Sequence, residues 1–360
     1  MANVQAAIEN EVAEIGNLAL ESGKTLTDVH IAYQRIGAAD APAILVCHAL
    51  TGNQYTMTTE IGPGWWEGLI GPGQYIDSEK YQVITTNVLG GCEGTTGPLS
   101  INPLTGERYG GDFPLITIRD MVNAQKRLLE VLHIHSLDTV IGGSLGGMQV
   151  MEWGLLYPDF MDRLIPIAVT PALSDYAIGF NAIGRTAIVS DPEWNNGNYS
   201  SEVSPAKGLG IARMIGMLTY RSGTLFNQRF QREQTEEWYS ISDEASFSVE
   251  TYLHYQAQKL SQRFDANSYL TLLKAMDSHD IGRGRGGIHQ ASKGYRAKML
   301  CLGFTEDLLY PPAMMKTFTE SVNEESQKAL FHEVNTIFGH DGFLTEFEKW
   351  GPFLEGFFSE

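Results

Sequence analysis

The stretch Thr139-Val-Ile-Gly-Gly-Ser144-Leu-Gly-Gly-Met-Gln-Val-Met151 decides the fold of this chain. A β-branched, apolar run enters Gly142-Gly143-Ser144-Leu145-Gly146, and a helical run to about Tyr157 leaves it. Gly-x-Ser-x-Gly at a strand-to-helix junction is the signature of a nucleophile elbow, which lifts a serine hydroxyl clear of a sheet. The glycines have a steric reason: in so tight a turn, side chains two before and two after the serine would collide. The following helix directs its N-terminus at the serine and favours negative charge there. The plain alternative is a Gly-rich turn without chemistry; the strand–turn–helix setting argues against it.

Working outward, short β-rich runs recur at residues 28–36, 43–47, 81–87, 139–142, 163–169, 298–303 and 329–334. The middle runs are continuously apolar, as strands buried on both faces are. Between residues 87 and 139, Ile118, Met121, Val122, Leu128, Leu129 and Leu132 follow helical spacing, with Thr117 and Asp120 placed like an N-cap and its acidic partner. Strands alternating with helices predict a mainly parallel sheet flanked by helices, and with the elbow this is the α/β-hydrolase fold. Residues 171–297 break the pattern. They are polar, aromatic and rich in Met and Tyr, with helical periodicity at 177–190, 208–220 and 249–263. We read them as a helical cap inserted into a core formed by residues 1–170 and 298–360, over the sheet edge where such folds hold ligands. The gap at residues 49–81, with Trp65, Trp66 and several glycines, reads as a long surface excursion.

A serine nucleophile needs a base and an acid, in the chain order Ser, Asp or Glu, His. Among nine histidines, His340 lies in Phe338-Gly339-His340-Asp341-Gly342, after the last strand and before a C-terminal helix. His30 and His332 sit in strands, and His133 and His135 flank a helix end. The acid should follow the run at 298–303, where both Glu306 and Asp307 are available; the loop-to-helix setting favours Asp307 weakly. The acid's work is to hold the imidazole tautomer and stabilise its protonated form. Two N–H donors are needed for an oxyanion. Leu145, directly after the serine, supplies one. The loop His48-Ala49-Leu50-Thr51-Gly52 after an early strand supplies the other, assigned to Leu50, with His48 as a loop-shaping residue.

Composition narrows the rest. With 360 residues and 43% hydrophobic content, one large domain with an insertion is affordable. A net charge of −18 argues against nucleic acid or anionic membrane as partner. Cys47, Cys92 and Cys301 sit in or beside apolar runs and read as reduced core thiols. The N-terminus is acidic, without the order of a signal peptide, and no apolar run approaches the ~18 residues of a membrane span; the expected location is cytoplasmic. No metal-ligand spacing appears. Residues 90–98 are Gly-rich but match no phosphate loop. Gly282-Arg-Gly-Arg-Gly-Gly287 reads as a surface turn, or as a loop whose arginines meet an anion.

Further motifs extend over nearly the whole chain: His-Ala-Leu-Thr-Gly at 48–52, Gly-Pro-Gly-Trp-Trp at 62–66, Asn-Val-Leu-Gly-Gly-Cys at 87–92, Ser-Ile-Asn-Pro-Leu-Thr-Gly at 100–106, Gly-Leu-Gly-Ile-Ala-Arg-Met-Ile-Gly at 208–216, Leu-Thr-Tyr-Arg-Ser at 218–222, Arg-Phe-Asp-Ala-Asn-Ser-Tyr at 263–269 and Gly-His-Asp-Gly-Phe-Leu at 339–344. With Gly-Gly-Ser-Leu-Gly-Gly-Met-Gln at 142–149, they make the chain resemble the homoserine O-acetyltransferases of the α/β-hydrolase type. One departure is Gly94-Thr95-Thr96-Gly97-Pro98, where the resemblance leads us to expect a serine and where the pocket could differ. The resemblance implies Ser144, Asp307 and His340 as a triad, and Arg213, Tyr220 and Asp341 as the holders of the acceptor amino acid. It implies two-step transfer from acetyl-CoA to L-homoserine in methionine biosynthesis, no resident cofactor, and a homodimer through the cap. Without it, Arg213 reads as a surface salt-bridge residue and Tyr220 as a core phenol. Rival readings are a succinyl-CoA donor, a serine acceptor, an esterase or thioesterase, and a non-enzymatic binding protein of the same fold.

Overall fold

The computed structural model describes residues 8–60, 62–200, 202–234 and 246–359. The chain opens with two long strands, β1 (Ile8–Ala19) and β2 (Thr25–Ile36), then β3 (Ala43–Cys47), two two-residue strands β4 (Ile70–Gly71) and β5 (Ile76–Asp77), and β6 (Gln82–Thr86). Helix α1 (Ile118–Val131) leads to β7 (Leu137–Gly143), α2 (Leu145–Leu156) and β8 (Met161–Ile167). Among the described residues six helices follow: α3 (Asp175–Val189), α4 (Ala206–Tyr220), α5 (Gly223–Phe230), α6 (Ser248–Ser261), α7 (Ala266–Asp277) and α8 (Ile288–Ser292). The sheet then resumes with β9 (Lys298–Phe304), α9 (Pro312–Ser326), β10 (Ala329–Val334) and the closing helices α10 (Gly342–Thr345) and α11 (Phe347–Phe358).

Among the described residues eight strands form one sheet in the order β1-β2-β6-β3-β7-β8-β9-β10. The pairs β1–β2 and β2–β6 are antiparallel, and every pair from β6 through β10 is parallel. The register aligns the C-terminal ends of the parallel strands: Cys47 pairs with Gly142, Gly143 with Ile167, Ile167 with Leu302 and Phe304 with Val334. The loops that carry Leu50, Ser144, Asp307 and His340 therefore leave the sheet along one edge, as parallel topology requires.

The α/β sheet and the strand runs read from sequence are present. So is the helix start at Thr117, whose hydroxyl accepts from the Asp120 N–H while the Asp120 carboxylate accepts from the Thr117 N–H. β1 lay outside the sequence reading. It is an edge strand with exposed residues along most of its length and a bulge around Gly16, so it shows no buried alternation to detect.

The reading of residues 49–81 as a surface excursion needs correction. Trp66, Leu69, Ile70 and Ile76 are buried in a second apolar core on the far face of the sheet. There the Trp66 ring lies 6.2 Å from Trp350 of α11. The segment supplies the cover that face otherwise lacks, and its glycines disguise apolar residues spaced too irregularly to register as a helix or strand. Cys47 and Cys301 are buried and Cys92 is half-buried; all three are unpaired. Burial pushes their thiols up to about 12, which keeps them protonated and inert.

The helical segment between β8 and β9 leaves and rejoins the core through a neck of paired chain. Leu173 N–H donates to His279 O and Ile281 N–H donates to Pro171 O. The His279 ring, fully buried, meets Thr170 O at 2.9 Å. Beyond the neck, the Gly-Arg-Gly-Arg loop is neither a plain surface turn nor an open anion site. Arg283 pairs with Glu21 at 2.7 Å and Arg285 with Glu152 at 2.7 Å. Glu152, at the back of α2, is 2% exposed and also takes Arg119 from α1 at 3.1 Å. The glycines let the loop bring two arginines onto carboxylates of the core. Among the described residues no helix is long and apolar enough to cross a membrane.

Removing one member of a buried ion group strands the others. Glu152→Ala strips Arg285 of its carboxylate partner and leaves Arg119 with Glu21 alone, so the urea midpoint should fall by the equivalent of about 3 kcal/mol. An unchanged midpoint would show that the cluster contributes nothing net.

Candidate active site

The β7–α2 turn is as tight as its sequence requires. Ser144 has φ 58° and ψ −124°, a backbone conformation that an L-residue adopts only under constraint, at a cost of about 1–3 kcal/mol. A Cβ on Gly142 would stand 2.6 Å from the Cys47 carbonyl oxygen, and one on Gly146 only 2.0 Å from it. No other residue type fits either position. The Ser144 N–H donates to Ile167 O at 3.0 Å, and α2 runs on from Leu145, buried through Gly154. Ser144 is thus fixed at the head of a buried helix, with the first N–H groups of that helix beside its hydroxyl.

The loops after β9 and β10 bring the two other predicted partners together. His340, in a short 3-10 turn, places Nδ1 2.7 Å from Asp307 Oδ2. Asp307 Oδ1 accepts from the N–H groups of Leu309 and Tyr310, both at 2.9 Å. Every strong acceptor position of the carboxylate is thereby directed. Asp307 and His340 are buried, whereas Glu306 is exposed and has φ 60°. Of the two carboxylates that sequence left open, Asp307 is the one that meets His340. Burial by itself would lower the His340 pKa. The Asp307 charge, its hydrogen bond and the nearby Asp341 outweigh burial and raise it above the ordinary histidine value of 6.5. With Nδ1 taken by Asp307, Nε2 is the nitrogen left for proton exchange.

His48 is a different kind of buried histidine. The Val88 N–H donates to its Nε2 at 3.0 Å, so Nδ1 must carry the ring proton, and it donates to Ala49 O at 2.7 Å. Burial depresses its pKa to about 4. The ring is clamped between two backbone groups and ties the start of the His48–Leu50 loop to Val88.

Above Ser144 lies a cavity of about 160 Å³, lined by Leu50, Ser144, His340, Asp341, Arg213 and Tyr220 among others. Its roof comes from α3, α4 and α7. Arg213, on α4, has its guanidinium carbon 5.8 Å from the Tyr220 ring centre. Its Nε–H is buried without a hydrogen-bond partner among the described residues. An arginine N–H left unmade at the wall of a cavity is suited to an anion such as a carboxylate. Asp341 is already engaged on one oxygen: Arg221 Nε sits 3.0 Å from its Oδ2. The Tyr220 ring lies 6.0 Å from His340; burial is the main reason its phenol is held above its usual pKa. The structure thus brings Leu50, Ser144, Arg213, Tyr220, His340 and Asp341 around one space, with Asp307 behind His340 and Leu145 beneath Ser144. Thr95 and Thr96, the departure noted above, do not line this cavity. Their hydroxyls accept from the Ala32 and His30 N–H groups of β2.

Sequence reasoning passed over Arg221 and Tyr310. Arg221 stood in the quoted Leu-Thr-Tyr-Arg-Ser motif, and its signal was an arginine one residue from a predicted pocket tyrosine. Tyr310 stood three residues after Asp307.

The alpha/beta hydrolase fold family matches residues 42–346. The chain is 45% identical over 350 residues to a homoserine O-acetyltransferase of Moorella thermoacetica, covering 95% of this chain and 94% of that protein. It is 46% identical over 349 residues to the homoserine O-acetyltransferase of Methanohalobium evestigatum, covering 95% and 71%. Among solved structures, the homoserine O-acetyltransferase from Bacillus anthracis superposes with a TM-score of 0.93 at 27% identity, covering 98% of both chains. Esterase E22 superposes with a TM-score of 0.91 at 29% identity, covering 98% of this chain and 100% of that one.

A serine-directed fluorophosphonate checks the relay directly. Labelling of Ser144 needs neutral His340, so its rate should fall as pH drops through a value above 6.5. Asp307→Asn should slow labelling by at least about 100-fold and move that limb to lower pH, because burial is then opposed only by Asp341. Glu306→Gln should leave both unchanged. The opposite ranking of the two substitutions would reassign the acid.

Proposed function

The chain belongs to the homoserine O-acetyltransferase family of the α/β hydrolases, and on that premise we propose that it moves an acetyl group from acetyl-CoA to the hydroxyl of L-homoserine through an acyl-enzyme on Ser144. The observation that carries this reading is the cavity in which the Ser144–His340–Asp307 relay shares its walls with Arg213 and Asp341.

In the first half-reaction His340 Nε2 takes the Ser144 proton as Oγ attacks the thioester carbon. The resulting oxyanion is held by the N–H groups of Leu50 and Leu145. The C–S bond breaks and the CoA sulfur leaves with the proton from His340, which returns to the neutral form; departure is easy because thiols are far more acidic than alcohols. In the second, the homoserine hydroxyl gives its proton to His340 and attacks the acyl carbon; the C–Oγ bond breaks and Ser144 is reprotonated. The acceptor has two charged groups to place. The guanidinium of Arg213, whose Nε–H has no hydrogen-bond partner among the described residues, suits its carboxylate. The Asp341 oxygen not held by Arg221 suits its ammonium. The chemistry as written draws on no metal or redox group.

Hydrolysis is the second reading with a specific observation behind it, since an esterase backbone superposes nearly as well as an acetyltransferase. The relay serves water and alcohol equally. Transfer requires a bound, oriented hydroxyl whose effective molarity exceeds that of water, and Arg213 with Asp341 supplies that orientation.

Double-reciprocal plots against homoserine at several acetyl-CoA concentrations should be parallel; intersecting lines with no isolable acyl-Ser144 would overturn the covalent route. Arg213→Ala should still acylate at a rate within a few-fold of the parent, while its acyl group goes mostly to water. Measuring the ratio of O-acetylhomoserine to free acetate separates the two. Poor acylation with an unchanged ratio would place Arg213 in donor binding or in the fold.

A further inference from the structure

Tyr310 meets every member of the proposed relay. Its backbone N–H donates to Asp307 Oδ1 at 2.9 Å. Its ring lies 5.0 Å from the His340 imidazole, tilted by 34°. Tyr310 lines the same cavity as Ser144 and His340, and its hydroxyl is near enough to Ser144 to be influenced by it, yet that hydroxyl makes no hydrogen bond of ordinary length among the described residues. The residue is 2% exposed. A buried hydroxyl without a partner is costly, so a donor kept unused in the resting site calls for a use during turnover. Burial, followed by the Asp307 charge, drives the phenol's pKa upward, and its proton stays in place to be shared. The other two phenols of the cavity, Tyr220 and Tyr269, influence each other, whereas Tyr310 is the one that Ser144 influences.

We propose that the Tyr310 hydroxyl is a catalytic hydrogen-bond donor to Ser144 Oγ while the C–Oγ bond forms and breaks. The proposal rests on the acyl-enzyme reading above. In the discharge step the acceptor oxygen bonds to the acyl carbon, and its proton passes to His340 Nε2. The tetrahedral adduct then collapses: the C–Oγ bond breaks, its electron pair goes to Oγ, and Oγ recovers the proton from His340. Between bond cleavage and reprotonation, negative charge gathers on Oγ beside the phenol. The Tyr310 O–H donates to that charge and keeps its own proton. The leucine N–H groups cannot do this work, because they serve the carbonyl oxygen. The same donor acts when Oγ attacks the thioester. Its benefit is greater in discharge, since the starting ester oxygen accepts hydrogen bonds more weakly than a serine hydroxyl and so gains more as charge builds.

Tyr310→Phe removes the hydroxyl and keeps the ring on His340. Rapid quenching with intact-protein mass would follow formation of acetyl-Ser144 from acetyl-CoA and its loss on adding homoserine. We expect both steps to slow, discharge by on the order of 10- to 100-fold and by more than acylation, with KM for homoserine within about threefold of the parent. The thermal midpoint should stay level or rise, because an unpartnered buried hydroxyl has been removed. Rates within about threefold of the parent would overturn the proposal. So would a fall in thermal midpoint matching the loss of rate, which would give the hydroxyl to the fold. The parent protein is the control for the reading beneath: absence of acetyl-Ser144 there would overturn the covalent route itself, whereas an adduct in the parent with an unimpaired Tyr310→Phe would overturn only the role of Tyr310.

Discussion

The carbonyl oxygen of Cys47 leaves no room for a side chain on either side of Ser144. That contact joins the end of β3 to the turn between β7 and α2, and the geometry of the site follows from it. With glycine at 142 and 146 the turn can close, and closure forces Ser144 to a positive φ. The strain is sustained by what surrounds it. Beneath the first turn of α2 lies a fully buried chain of side chains: Trp153 Nε1 donates to Gln125 at 2.8 Å, Gln125 to Gln149 at 2.7 Å, and Gln149 to the Leu145 carbonyl at 3.1 Å. Such a network is stable only when its members are satisfied together, so it holds the elbow in one arrangement. The same strand end that crowds the turn continues into His48–Leu50. The proposed nucleophile and the proposed oxyanion donors are therefore positioned by one packing contact.

Two buried histidines in this site show how surroundings decide protonation. Both lose hydration, which favours the neutral ring. His48 meets backbone groups, one donating and one accepting, and remains neutral far below ordinary pH. His340 meets the Asp307 carboxylate, which more than reverses the effect of burial. A base must take up a proton during turnover, and only the second setting lowers the cost of doing so. The net charge of the chain is strongly negative, yet the cavity presents Arg213 and Arg221; local placement, not overall balance, sets the field a small substrate meets.

The elbow, the parallel strands and the α1 cap were legible because each rests on local rules: steric exclusion at two glycines, apolar continuity in buried strands, side-chain capping. His340 could be picked from nine histidines by chain order together with its loop setting, since His332, which also follows Asp307, sits in a strand. The choice between Glu306 and Asp307 was nearly beyond sequence reasoning, because adjacent residues differ only in which way the loop turns them. Trp66 and its neighbours escaped because their burial depends on α11, which arrives nearly three hundred residues later. Arg283 and Arg285 were open to misreading for the same reason: their partners, Glu21 and Glu152, are distant in the chain. Arg213, Tyr220 and Asp341 carried no local signal and were reached only through resemblance. Contacts between remote segments are what a periodicity or a spacing cannot hold.

The neck at Pro171–Ile281 has a consequence for how such a protein can diversify. The outgoing and returning chains are hydrogen-bonded neighbours, so from the standpoint of the sheet the whole helical insertion is attached like a short hairpin. Its length, its helix count and its lining can drift without disturbing the register of β8 against β9. The bond-making edge and the roof above it are then inherited as separable parts, and a single lineage can keep one reaction centre while trying many ceilings.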